Sequence, residues 1–190
     1  MLRLNVVIAS TRPGRVGKPV GDWFHRHARA HGGFDVHLSD LAAFDLPIFD
    51  EPQHPRLQRY EHEHTKRWAA DVDAADAYVF VVPEYNYGPT PALLNALNYV
   101  YTEWCYKPAG FVSYGGISGG MRSALTTKLT LTTLKVMPMV EQVAIPMVAE
   151  HVEGDSFRPA EVHEQSASVM LDELQRWAEA LAPLRAARSP

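Results

Sequence analysis

Apolar and polar positions along the chain follow two rhythms. Short apolar runs at Leu2–Ala9, Phe34–Leu38, Ala77–Pro83, Ala109–Tyr114 and Gln142–Pro146 read as strands. The run AYVFVVP at Ala77–Pro83 is nearly all apolar, as a strand covered on both faces must be. Between these runs the apolar spacing turns helical. Val16, Val20, Trp23, Phe24 and His27 share one face, and His64, Trp68, Val72 and Ala75 share another. Pro91 suits the first turn of a helix, where a missing N–H costs nothing, and leads into Ala92–Trp104. A further helix is predicted from about Met121 to Val136. The last uses Val162, Val169, Met170, Leu174, Trp177 and Leu181, and Pro183 is expected to stop it.

Strands alternating with helices predict an α/β fold, a five-stranded parallel sheet with helices on both faces. No repeat, low-complexity tract or linker divides the chain, so residues 1–190 read as one domain. Ala42–Arg59 is rich in Pro and His; Pro47, Pro52 and Pro55 argue for a surface loop that caps a site or a subunit contact. Arg185–Pro190 is expected to fray. In open sheets of this kind, ligands bind beyond the carboxyl ends of the strands, where strand order reverses. For the order 2-1-3-4-5 that point lies between the first and third strands, so the loops after Ala9, Val82 and Tyr114 should meet.

All three carry unusual residues. Ser10-Thr11-Arg12-Pro13-Gly14-Arg15-Val16-Gly17 combines hydroxyls, two arginines and free helix N-terminal amides, the elements of an anion site. It is neither a Walker A loop nor G-x-G-x-x-G, which disfavours a nucleoside triphosphate and a Rossmann-type dehydrogenase. Pro83-Glu84-Tyr85-Asn86-Tyr87-Gly88-Pro89-Thr90-Pro91 makes a stiff aromatic wall suited to a planar heterocycle, although the same residues could simply pack and turn. Ser113-Tyr114-Gly115-Gly116-Ile117-Ser118-Gly119-Gly120 lets backbone approach a ligand closely, where a merely flexible connection would be more polar.

Composition narrows the partners. Hydrophobic residues make up 46% and charged residues 21%, ordinary for a globular chain, and the net charge of −4 offers no general attraction to nucleic acid or an anionic membrane. The apolar run before Ser10 is too short for a signal segment or a span. A single cysteine, Cys105, excludes an intramolecular disulfide and a multi-cysteine metal site, and cytoplasm is the expected location. Cys105 lacks the arginine six residues on that a phosphatase loop needs, since position 111 is Phe, and reads as packing. His54, His62 and His64 with Glu61 and Glu63 show no H-E-x-x-H spacing and read as a solvated helix face.

The segments ASTRPGRVG, DLPIFDE, PEYNYGPTPALLNALNYV and KPAGFVSYGGISGG resemble the NADPH-dependent FMN reductase family, which includes quinone, chromate and azo-dye reductases. The resemblance runs from Leu2 to about Trp177. It implies a flavodoxin-like three-layer sandwich that binds FMN non-covalently. Ser10, Arg12, Arg15 and the amides through Val16 and Gly17 would hold the phosphate. Pro83, Glu84, Tyr85 and Asn86 would line the ribityl chain and one ring edge, and Ser113, Tyr114, Gly115 and Gly116 the pyrimidine side. Family members are usually homodimers or homotetramers. This chain departs from the family at Ala9, where glycine is usual, and at Gly88, Leu94 and Asn98, where serine, lysine and aspartate are common.

The implied reaction passes electrons from NADPH or NADH through FMN to a small acceptor such as a quinone, flavin, azo compound or metal ion, by a ping-pong sequence. The protein would supply binding and orientation, with amides near Asn86 and Gly115–Gly116 stabilising the reduced ring and no side chain acting as nucleophile. The alternative is a flavodoxin-like electron carrier or sensor without efficient nicotinamide turnover. Arg12, Arg15 and the mild charge argue against it.

Overall fold

Strand β3 (Ala77–Pro83) is buried along its whole length, and its alternating side chains feed two separate cores. Tyr78, Phe80 and Val82 enter one with Trp68, Leu97, Trp104 and Ala124. Ala77, Val79 and Val81 enter the other with Trp23, Phe24, Met170 and Leu171. A strand with two apolar faces can only lie mid-sheet under two helical layers. In the computed structural model, which describes residues 1–187, that is its place.

The elements run β1 (Leu2–Ile8), α1 (Gly17–His31), β2 (Phe34–Asp40), α2 (Leu41–Phe44), α3 (Glu63–Asp73), β3, α4 (Pro91–Tyr99), β4 (Pro108–Tyr114), α5 (Met121–Thr133), β5 (Met137–Ile145), a hairpin of β6 (Val152–Glu153) and β7 (Ser156–Phe157), and α6 (Glu161–Ala186). The main sheet is parallel in the order β2-β1-β3-β4-β5. The expected α/β architecture and strand order are therefore present. Among the described residues no helix is long and apolar enough to cross a membrane, and no cluster of three metal-ligating side chains occurs.

Several boundaries differ from the sequence reading. α4 ends at Tyr99 rather than Trp104: Val100 is extended, and a separate 3₁₀ turn at Thr102–Trp104 drives Trp104 into the core against Trp68 and Tyr78. α5 ends at Thr133, and Lys135, in the left-handed region at φ 55°, reverses the chain into β5. β5 starts at Met137 rather than Gln142; the irregularity between Ala109 and Phe111, together with Pro138 and Glu141, breaks the apolar run that would have marked it. The β6–β7 hairpin has no run of its own to betray it.

Pro183 does not stop α6, which continues to Ala186. A proline removes one helical N–H, but Arg185 folds back here to donate to the Ala178 carbonyl at 2.8 Å and to Asp76 at 3.0 Å, tying the last turn to the sheet. Arg185 and Ala186 are thus ordered helix where fraying was expected; positions 188–190 lie outside the described residues.

Ala42–Arg59 also carries more structure than a plain loop, with most of α2 and a 3₁₀ turn at Pro55–Leu57. The histidines beside it are not simply solvated. His62 precedes α3 in extended conformation, so it escapes the helical spacing and its ring stacks on His64 at 5.1 Å. His64 Nε2 lies 3.0 Å from Asp50 Oδ1, and Glu51 accepts from the amides of Glu61 and His62 at 2.8 and 3.0 Å. Cys105 is buried, as its packing role requires.

Two buried tryptophans meet edge to face in the first core, but only one is satisfied. Trp68 Nε1 donates to the Ala96 carbonyl at 2.9 Å, whereas Trp104 Nε1 has no partner among the described residues. Truncating either to phenylalanine removes similar volume. Trp68→Phe should therefore destabilise the fold by about 1–3 kcal/mol more than Trp104→Phe, read as the difference in urea unfolding free energies.

Candidate functional site

The carboxyl ends of β1, β3 and β4 bring the three loops together. Ala9 still belongs to the sheet, since its N–H donates to Val81 O at 3.0 Å and its carbonyl accepts from the Thr90 hydroxyl at 2.7 Å. Its φ is negative, so alanine fits where the family usually has glycine. Ser10 is buried, and the Tyr114 hydroxyl donates to Ser10 Oγ at 3.1 Å. Burial raises the Tyr114 pKa, keeping that phenol protonated. Gly17 lies directly over this pair, and a Cβ there would overlap both hydroxyls.

After Ser10 the backbone turns into α1 without pairing. The amides of Thr11, Arg12, Gly14, Arg15, Val16 and Gly17 find no acceptor among the described residues. The two arginines differ. Arg15 grips Asp40 with both terminal nitrogens, at 2.6 and 2.5 Å, and reaches the Ser10 carbonyl. Its charge is already balanced. Arg12 is exposed and makes no ion pair among the described residues. An anion arriving here would meet one unpaired guanidinium and a row of free N–H groups.

The second loop is a two-residue hairpin turn. Tyr85 and Gly88 exchange backbone hydrogen bonds at 2.9 and 3.0 Å, and Asn86 and Tyr87 between them have φ of 49° and 70°. Asparagine tolerates the left-handed region, but for tyrosine it costs about 1–2 kcal/mol. Glu84 does not face open solvent. Its carboxylate accepts from Arg122 Nε at 2.7 Å and Ser118 Oγ at 2.9 Å. The Arg122 hydrogen bond, outweighing burial, holds the Glu84 pKa below the usual carboxylate value.

In the third loop, Gly120 has φ 76°, and a Cβ would come within 2.6 Å of the Tyr114 backbone; only glycine fits. Gly115 and Gly116 present their carbonyls to the amides of Val148 and Met147, each at 2.9 Å. The segment after β5 thereby becomes a fourth wall.

Between these walls lies an open cleft of about 170 Å³, lined by Arg12, Arg15, Val16, Pro83, Glu84, Tyr85, Tyr114, Gly115 and Val148. Eight of these nine are expected site residues. Ser10 and Gly17 lie beneath the cleft rather than on its surface, and Asn86 and Gly116 stand outside its lining. Ser113 does not face it: strand alternation sets it on the opposite side of the sheet from Tyr114, where its hydroxyl is buried without a partner. Val148, Asp40 and Arg122 were missed. No local pattern marks the first, and the carboxylate pairing of the arginines depends on tertiary contacts.

A parallel sheet in the order 2-1-3-4-5, with a helix start whose amides are unpaired among the described residues facing an aromatic wall at its switch point, defines a flavodoxin-like cofactor-binding protein. Comparison with known proteins agrees. Residues 2–150 match the NADPH-dependent FMN reductase family. An NAD(P)H-dependent FMN reductase of Nectria sp is 32% identical over 155 residues, covering 78% of this chain and 77% of that protein. Another from Schizosaccharomyces pombe is 34% identical over 147 residues, covering 76% and 74%. Among solved structures, the flavoenzyme NAD(P)H:(acceptor) oxidoreductase FerB of Paracoccus denitrificans superposes with a TM-score of 0.74 at 20% identity, over 95% of this chain and 98% of that one; at that identity the likeness speaks for the fold. The chain belongs to the NADPH-dependent FMN reductase family, and is an oxidoreductase whose cofactors are FMN and a reduced nicotinamide.

Two outcomes follow from this geometry. Gly17→Ala should force apart the Tyr114–Ser10 hydroxyl pair and cost about 1–3 kcal/mol of stability by overpacking, measured by urea unfolding. Because the folded Glu84 pKa is depressed, the stability of its Arg122 pair is fully present above the ordinary glutamate range and is lost as pH falls through the lowered value. Glu84→Gln should therefore flatten the acid limb of a pH–stability profile while changing its slope little at neutral pH.

Proposed function

We propose that this cleft binds FMN with its phosphate on the first loop, and that the protein uses it to pass electrons from a reduced nicotinamide to a small acceptor such as a quinone, flavin, azo compound or metal ion. The observation that carries the reading is the first loop: the amides of Thr11, Arg12 and 14–17, without acceptors among the described residues, beside an Arg12 without an ion pair there, facing Tyr85 and Tyr114. The residues fit the group. A phosphate matches the cation and the N–H row, and the amides of Asn86 and Gly116, unpaired among the described residues at the rim of the cleft, suit the polar edges of a flat ring.

Bound FMN would supply the redox chemistry, alternating between donor and acceptor in a ping-pong sequence. The chain's own residues bind and orient. Arg12 and the α1 amides hold the anion, while Arg15 keeps the loop folded through Asp40. The cleft is smaller than the roughly 300 Å³ of an enclosing ligand pocket, so an FMN would keep part of its surface open to successive partners.

Residues 1–190 act on this reading as one FMN-binding domain, in the cytoplasm, where a chain with a single cysteine is at home. A homodimer or homotetramer is supported by Met121, Leu125 and Leu129, exposed at four-residue spacing along α5, and by exposed Leu94 on α4. Leu94 replaces the lysine common in the family.

The purified protein should be yellow and release FMN on denaturation, and it should oxidise NADPH steadily when given a quinone. A preparation that takes up no FMN sinks the reading, and one that binds FMN without oxidising nicotinamide is a carrier. Arg12→Ala should weaken FMN binding about 10–100-fold in a flavin fluorescence titration, the value of one charged hydrogen-bonded contact.

A further inference from the structure

The turn at Asn86–Tyr87 is built from a residue that disfavours it. A two-residue turn with both φ positive ordinarily takes glycine second. Here Tyr87 stands second, at φ 70°, and Gly88 follows where no positive φ is required. A Cβ on Gly88 would meet nothing closer than the Tyr85 carbonyl at 3.8 Å, so the glycine is not what shapes the turn. The Tyr87 side chain is 67% exposed and has no core to hold it in place.

Arg122 supplies what the local sequence lacks. Its guanidinium carbon lies 3.7 Å from the Tyr87 ring centroid, a close cation–π stack. The same guanidinium is anchored by Glu84, through Nε at 2.7 Å and a second contact from Nη2. Glu84 is fixed in turn by Ser118 Oγ at 2.9 Å and by the Arg122 backbone amide at 3.3 Å. Arg122 sits in the first turn of α5, two residues after Gly120, so the contact chain runs from the third loop into the tip of the second.

We propose that Arg122 is a positioning residue for the flavin: by stacking on Tyr87 while held by Glu84, it keeps the 84–88 turn in a left-handed conformation its own sequence disfavours, and so fixes the backbone against which the ring binds. The proposal rests on the FMN reading above. A turn populated only part of the time lowers apparent affinity in proportion to the competent fraction.

The test separates holding a strained turn from merely contributing a contact. FMN affinity is measured by flavin fluorescence titration for the wild type, Tyr87→Leu, Tyr87→Gly, Arg122→Gln and the Tyr87→Gly/Arg122→Gln double variant. Tyr87→Leu keeps the backbone penalty and loses the aromatic face, so binding should weaken by about tenfold, the scale of one left-handed residue. Tyr87→Gly loses the same face and the penalty with it, so binding should fall far less. Arg122→Gln should weaken binding like Tyr87→Leu, and the double variant should recover most of that loss. Equal losses in Tyr87→Leu and Tyr87→Gly, or no recovery in the double variant, overturn the proposal. The Tyr87 pair leaves Arg122 and Glu84 untouched, so the outcome does not hang on how the Arg122 variant folds. A wild type that binds no FMN refutes the FMN reading itself, whereas a wild type that binds with the wrong variant pattern refutes only the role of Arg122.

Discussion

The Tyr114 hydroxyl reaches across the sheet edge to Ser10 Oγ, and the bare Cα of Gly17 closes over the pair. That contact fixes the distance between the end of β4 and the start of α1, and much of the site follows from it. Because Ser10 is pinned below the cleft, the chain after it must climb over Gly17 with its amides pointing outward. Because Tyr114 is pinned, the chain after it must turn through Gly119 and Gly120, both at positive φ, to enter α5. A parallel sheet leaves backbone groups unpaired at its carboxyl edge, and here side-chain hydroxyls join the strands there: Tyr114 to Ser10 and Thr90 to Ala9. Among the described residues the longest row of amides left without partners is that of the first loop, where an anion would take them up.

Much of this was legible in the sequence, for a physical reason. The all-apolar Ala77–Pro83 admits only a central strand, and the helical spacing around Trp23 and Trp68 admits only two covering layers. Once the order of strands follows, convergence of the three loops is topology rather than detail. What stayed illegible depends on partners distant in sequence. Pro183 reads as a stop until Arg185 is seen bridging Ala178 and Asp76. His62 and His64 read as diverging until His62 proves to lie before the helix, with Asp50 drawing both rings together. Strand β5 hides because its pairing with β4 is irregular, so its burial does not alternate cleanly. Ser113 shows how fine the undecided detail is: the third loop borders the cleft through Tyr114 and Gly115, but whether the residue before them faces it turns on a single step of strand alternation.

The two arginines of the first loop show why charge counting alone misleads. By composition they are equivalent cations beside a helix start. In the fold, Arg15 is largely buried and its fork is closed on Asp40, which also accepts from the Ala42 amide to begin α2. A buried cation so paired has little left to offer a ligand, and removing it would strand a carboxylate. Arg12, within the free amide row itself and open to solvent, keeps its charge available. The cation committed to structure and the one left open to solvent thus sit three residues apart and are told apart only by their partners.

The same division of labour governs the aromatic wall. Tyr85 lines the cleft, while Tyr87 points out of it into a guanidinium. Had stability alone shaped the turn, glycine at position 87 would have served better than glycine at 88, one residue too late to relieve the left-handed backbone. Keeping tyrosine there makes the turn's conformation conditional on α5 through Arg122, and conditional on the third loop through Ser118 and Glu84. The 84–88 turn, the third loop and the start of α5 are then not independent. Loosening one of them weakens the contact that holds its neighbour, so the second and third walls of the cleft order cooperatively.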